Sequence, residues 1–290
     1  MRAESSPRWG HADGLQIGLA PLPGPRGLLR VYAPYLGHDP DRVVNFIAVE
    51  PLPVGATERG FSELEWSALD GERGKRIGSA AEPSAAFGPL SPGVVSSSGE
   101  LTVYLPVERF DNGAHVYVRA RFSPDQPHSV AVAAFHHPDS VPLARLTLTA
   151  TMGNWARLRR LSLGARTVTP AELWPGFSGD GFTEHARFGP DSLGRDASGA
   201  VVVSATTDEA SPASASYAPG TAAHWHYVGR TAVQSWRAES PDPDLEVLVN
   251  GRACYWASSS PIPGGVSFEN FEFGAAYRPG QEYVFSVTPD

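Results

Sequence analysis

The sequence predicts an all-β fold: a layered antiparallel β-sandwich, jelly-roll-like, forming a single domain with long loops. Three observations predict it. Short stretches alternate apolar and polar residues with the period of two that buries one face of a strand. The 30 glycines and 27 prolines are spread along the chain as turn punctuation and leave little room for long helices. No unit recurs at a fixed period, which argues against a propeller or a solenoid. The 290 residues suffice for one large β domain, read here as residues 1–290.

In chain order, residues 1–12 are polar and read as a loose arm. Residues 15–19 alternate weakly, the Pro-rich stretch 21–25 is a loop, and residues 28–32 (Leu-Leu-Arg-Val-Tyr) are a strand. Residues 43–50 are apolar and rich in β-branched side chains, as a buried strand would be. A helical turn fits residues 62–69, with Ser62 as its cap and Glu65 three positions on. Residues 79–99, rich in Ala, Ser, Pro and Gly, are a long loop. Residues 101–105 resume the alternation, and Asn112-Gly113 marks a hairpin turn. Residues 115–122 form the best amphipathic strand, with His115, Tyr117, Arg119 and Arg121 on one face.

Strands follow at 130–135 and 143–151, separated by a turn at 136–139. Residues 154–163 lean to strand. Residues 170–199 form an aromatic loop carrying Trp174, Phe177, Phe182, His185 and Phe188. Residues 201–206 are a strand and 208–221 another loop. Residues 224–227 (His-Trp-His-Tyr) open a strand that 231–237 continue or pair with. Residues 245–249 lead to Asn250-Gly251, a second hairpin signal. Residues 264–273 follow the turn 261–265, and 283–288 close the chain.

Residues 264–273 organise the functional reading. On a regular strand, Glu269, Phe271 and Phe273 would share one face, and Phe268, Asn270 and Glu272 the other. An unpaired carboxylate buried among phenylalanines is costly, so each face has the makings of a sugar site or an acid/base site. Glu269 and Glu272 cannot act as a pair unless a bulge intervenes. Otherwise a glycosidase, which needs two carboxyls, would draw the second from Glu63, Glu65, Asp180, Glu184 or Asp208. The i, i+2 pair His224 and His226 suits acid/base work, or a metal completed by Glu269 or Glu272. His185 is a further acid/base candidate.

Composition narrows the classes. A net charge of −8 argues against nucleic-acid binding, which needs a basic footprint. The single cysteine, Cys254, excludes internal disulfides and a Cys-based zinc site. No P-loop, GxGxxG unit, HExxH or GxSxG elbow occurs. No apolar leader or membrane-spanning run is found, so a cytoplasmic location and no membrane partner are expected.

The expected function is cleavage of glycosidic bonds in an oligo- or polysaccharide, hydrolysis being favoured over lyase chemistry. Glu269, Glu272, His226, His224 and His185 are the catalytic candidates. Trp225, Tyr227, Trp236, Trp256 and Asn270 are the substrate-binding candidates, because aromatic faces stack on sugar C–H faces. His115, Tyr117 and Arg119 join that set and would serve an elimination. The alternatives are a non-catalytic glycan-binding or assembly protein and a metal-dependent enzyme using the His-x-His pair. No cofactor is expected beyond that metal. The expected partner is a glycan substrate, with a second copy of the chain the other candidate.

Overall fold

Where alternate side chains are apolar, a strand has one face to bury, and two sheets with such faces cover each other. The computed structural model describes residues 7–19, 26–83, 91–151, 157–209 and 215–290. Its first sheet runs in the order β1 (Arg8–Gly10), β2 (Gln16–Gly18), β3 (Leu29–Tyr32), β4 (Val43–Pro53), β9 (Leu143–Thr151), β16 (Ser267–Ala276), β15 (Glu246–Arg252), β12 (Ala186–Phe188). The second runs β11 (Thr167–Val168), β10 (Leu158–Ser162), β13 (Val201–Thr207), β14 (Ala232–Ala238), β17 (Glu282–Pro289), β8 (Ser129–His136), β7 (Val116–Phe122), β6 (Leu101–Pro106), β5 (Val94–Val95). All these pairings are antiparallel. The chain is an all-β sandwich. Among the described residues, no helix is long and apolar enough to cross a membrane.

One hydrophobic cluster fills the space between the sheets. Ile47, Val49, Leu148 and Ala150 enter it from the first sheet, Val118 and Val203 from the second. Trp236 of β14 lies fully buried at the centre, and its indole N–H donates to the carbonyl of Phe271 across the layers at 3.1 Å. Its ring meets Phe285 and Phe273 at 4.9 and 6.1 Å between centroids. Trp236 is therefore a core side chain, not the sugar platform expected of it. Trp236→Ala is expected to cost about 3–5 kcal/mol in urea denaturation.

Most strands lie close to their expected positions; β5 and β12 fall in stretches expected to be loops, and four further local expectations do not hold. Part of the expected arm is strand β1, because Trp9 is buried in the core. Residues 62–69 form turns rather than a helix: the Ser62 hydroxyl donates to the Gly27 carbonyl at 2.5 Å and accepts from the Val49 N–H. His224 and Trp225 lie in a 3-10 turn, Ala223–Trp225, rather than opening a strand. Asn250-Gly251 lies inside β15 and is not a hairpin turn. The loop at 21–25, parts of the arm and of the loops at 79–99 and 208–221, and Asn154 and Trp155 lie outside the described residues.

The fourth departure shapes the site. Val249 pairs with Phe271, and Gly251 pairs with Phe268. One residue of β15, Asn250, thus stands opposite two of β16, so β16 carries a bulge at Glu269 and Asn270. The bulge resets the alternation. Phe268, Phe271 and Phe273 all enter the core, while Glu269, Asn270 and Glu272 all line a pocket on the outer face. The mixture of rings and carboxylates expected on each face is corrected to a clean separation.

Asn250 holds the bulge open. Its Oδ1 accepts the Asn270 backbone N–H at 3.1 Å. At Gly251 a Cβ would lie 2.7 Å from the Ser267 carbonyl oxygen, so only glycine lets the strands approach there. Asn250→Ala leaves the part-buried Asn270 N–H without its acceptor and is expected to cost about 1–3 kcal/mol in urea denaturation. A loss under about 0.5 kcal/mol would show that the bulge does not depend on this bond.

Candidate functional site

The pocket lies on the face of the first sheet that points away from the second sheet and has a volume of about 390 Å³, within the range of small-ligand sites. Its floor comes from adjacent strands: Glu50 of β4, Thr149 of β9, Glu269 and Glu272 of β16, Asn250 of β15. Its walls are Arg59, Phe61 and Glu63 from the segment after β4, Phe182 and His185 from the segment before β12, and Trp256. Phe182 and Trp256 are partly exposed at its rim, 5.7 Å apart between ring centroids. A shallower trough on the same face shares Arg59, Phe61 and His185 with the pocket.

The electrostatics centre on one guanidinium. Arg59 Nε lies 2.9 Å from Glu50 Oε2, and its Nη1 2.7 Å from Glu272 Oε2. His185 Nε2 lies 2.9 Å from Glu272 Oε1, so each oxygen of Glu272 has its own partner. Burial alone would raise the Glu272 pKa, but His185 and Arg59 outweigh it and hold this carboxyl below its ordinary value. Glu50 shares Arg59 and lacks the imidazole. Burial, reinforced by the negative charge of Glu272, outweighs Arg59 and pushes Glu50 up.

Glu269 differs again. It is 5% exposed, and among the described residues none donates to its carboxyl or pairs with it. Burial pushes it up to about 7, Glu63 adds to the rise, and Arg252 opposes it from a distance. Two glutamates three positions apart on one strand are thus driven in opposite directions. Such a split separates an acid that keeps its proton near neutrality from a carboxylate that stays ionised.

His185 touches one of the two, Glu272. Its Nε2 is nearer to Glu272 than to Asn250 Nδ2, which lies at 3.3 Å. Glu272 Oε1 therefore accepts a hydrogen bond from the Nε2–H, which leaves Nδ1 as the acceptor nitrogen of the ring.

Of the residues singled out in the sequence, Glu269, Glu272, His185, Asn270 and Trp256 meet in this pocket. The others are placed elsewhere. His224, Trp225, His226 and Tyr227 do not line it. His224 is exposed, His226 stacks on Tyr217 at 4.1 Å, and Trp225 stacks on Tyr255 at 5.1 Å. Tyr227 is buried with its hydroxyl donating to the Arg230 carbonyl. The expectation of a site built around these four side chains is corrected: the run is not a strand, so the two imidazoles do not project into a shared groove with the glutamates.

His115, Tyr117 and Arg119 lie on or beside β7 in the other sheet, away from the pocket. Arg119 pairs with Glu282 at 3.1 Å, His115 Nδ1 lies 2.8 Å from Asp139, and Tyr117 stacks on Phe135 at 5.2 Å. These contacts give the expected elimination residues ordinary structural partners. Of the alternative carboxyls, Glu63 lines the pocket, whereas Glu65 and Asp208 pair with Lys75 and Arg159. Among the described residues, no three His, Cys, Asp or Glu side chains are placed to hold a metal ion.

Sequence reasoning missed Glu50 and Arg59. Glu50 ends an apolar run read as a buried strand, and a carboxylate in such a run was the available signal. Arg59 gave none, because its pairing depends on a fold of the chain between residues 54 and 61. No protein-family model matches the chain, and no curated protein matches it.

Proposed function

We propose that the protein hydrolyses a glycosidic bond, with Glu269 as general acid. The observation that carries this reading is the opposite tuning of Glu269 and Glu272 in one pocket. In this mechanism Glu269 gives its proton to the glycosidic oxygen as the C–O bond breaks. A water attacks the anomeric carbon, and His185 Nδ1 takes its proton. Glu272 fixes the imidazole tautomer and stabilises the imidazolium that forms. Arg59 keeps Glu272 ionised. Trp256 and Phe182 offer ring faces to the apolar side of a sugar.

The test is a product screen against neutral, amino and acidic glycosides, read by mass. Hydrolysis adds one water to the sum of the product masses, and the yield is expected to fall at least about 100-fold in Glu269→Gln. Full activity in both Glu269→Gln and Glu272→Gln would overturn the assignment. The same aromatic rim also suits a glycan-binding protein without catalysis; binding that survives both substitutions, with no product from any glycoside, would establish that second reading.

A further inference from the structure

We propose that the pocket takes an amino sugar, with its protonated amine placed between Glu63 and Glu269. This deepens the glycoside-cleaving reading of the same pocket and rests on it.

Four glutamates line the pocket: Glu50, Glu63, Glu269 and Glu272. Glu50 and Glu272 have a cation in contact, Arg59, and Glu272 also has His185. Glu63 and Glu269 have none: among the described residues, neither forms a hydrogen bond or an ion pair through its carboxyl. Glu269 is also more than nine-tenths buried. Of the arginines whose charge reaches them, Arg73 is exposed and forms no ion pair with Glu63, and Arg30 and Arg252 have other duties. Arg30 donates to the carbonyls of Leu28 and Arg26 at 2.6 and 3.1 Å and lies 5.8 Å from the Phe46 ring centroid. Arg252 donates to the carbonyls of Asp180 and Cys254 at 2.8 and 3.1 Å, against the rings of Phe182 and Trp256 at 4.9 and 5.1 Å. Among the described residues, the pocket thus has two carboxyls without a hydrogen-bond donor or an ion-pair partner.

An ammonium group is the complement this calls for. It carries one positive charge and three donors on a compact head, enough for both carboxyls and a ring hydroxyl. A bare metal ion fits less well, because no three acidic or imidazole side chains converge at ligating distance among the described residues. The proposed chemistry also places the amine. Glu269 protonates the glycosidic oxygen, so an amine beside it sits on the carbon next to the anomeric centre. The substrate is then a 2-amino-2-deoxy sugar.

Seating that charge has a consequence. Burial raises both Glu63 and Glu269, with Arg73 and Arg30 opposing at Glu63 and Arg252 at Glu269. A cation against Glu63 reverses its rise, so that carboxyl loses proton affinity when the sugar arrives. Binding therefore releases protons from Glu63, while Glu269 keeps the proton that it delivers to the glycosidic oxygen.

Calorimetry with the whole protein tests this, using glucosamine, galactosamine and mannosamine beside their neutral parents and N-acetyl forms. At least one amino sugar is expected to bind about 10-fold more tightly than both counterparts, with proton release seen as a dependence of the heat on buffer ionisation. Glu63→Gln is expected to reduce that preference about 10-fold. Absent binding, or equal binding within every set, overturns the proposal. Neutral glycosides cleaved without any amino preference would sink the amine and keep the hydrolase. Amino-sugar binding with proton release and no product from any glycoside would do the reverse.

Discussion

Glu269→Gln is expected to lower kcat by about 10²–10⁴-fold while leaving the fold intact. Glutamine keeps the shape of the side chain and removes the proton that the proposed mechanism delivers. The substitution also changes the pH profile. In the wild type, activity should fall as pH rises through about 7, where Glu269 loses its proton. In the variant that alkaline limb should vanish from the residual rate. A substrate whose leaving group needs no protonation should recover much of the loss, which separates a missing acid from a damaged pocket. A variant that keeps both rate and alkaline limb would remove Glu269 from the mechanism.

The same substitution should stabilise the protein at alkaline pH. Glu269 is raised from an ordinary value of 4.5 to about 7, so the folded state binds more protons than the unfolded chain between those values. Its contribution is fully present below 4.5 and is lost as pH rises through 7. Urea denaturation across that window should show a smaller decline for Glu269→Gln than for the wild type.

Arg59→Met is expected to give the second large effect, a loss of about 3 kcal/mol in stability at neutral pH. Methionine matches much of the arginine stem but leaves Glu272 buried with only His185, beside Glu50. The sign with pH is opposite to that of Glu269. Glu272 is held below its ordinary 4.5, so its stabilising contribution is present above that value and fades as pH falls through its lowered pKa. The gap between wild type and Arg59→Met should therefore narrow on acidification. Adding Glu272→Gln to Arg59→Met should recover part of the loss, because the stranded charge goes with it. A pH-independent gap would mean that Arg59 acts through packing alone.

Much of the sandwich was legible because alternation is local. Residues 101–105 and 201–206 show which side chains face inward without knowledge of their neighbours, and both they and the apolar run 43–50 became strands. The site was legible in part, because Glu269, Glu272 and His185 are polar side chains set among aromatics. What failed depended on pairing between distant segments. The bulge that brings Glu269 and Glu272 together is a mismatch between β15 and β16, visible only when both are aligned. Asn250-Gly251 has the chemistry of a hairpin turn, yet the strand runs through it because Asn250 is engaged by Asn270. The His-Trp-His-Tyr run drew attention by composition, and its rings are satisfied by stacking on Tyr217 and Tyr255.

Because the phenylalanines of β16 point one way and its acidic side chains the other, binding chemistry and hydrophobic filling occupy opposite sides of a single sheet. The exposed rim rings of Phe182 and Trp256 can therefore be exchanged for others without disturbing the interior. A chain laid out in this way is suited to acquiring new ligands by substitution at the rim, with Glu269 and Glu272 kept as a fixed base.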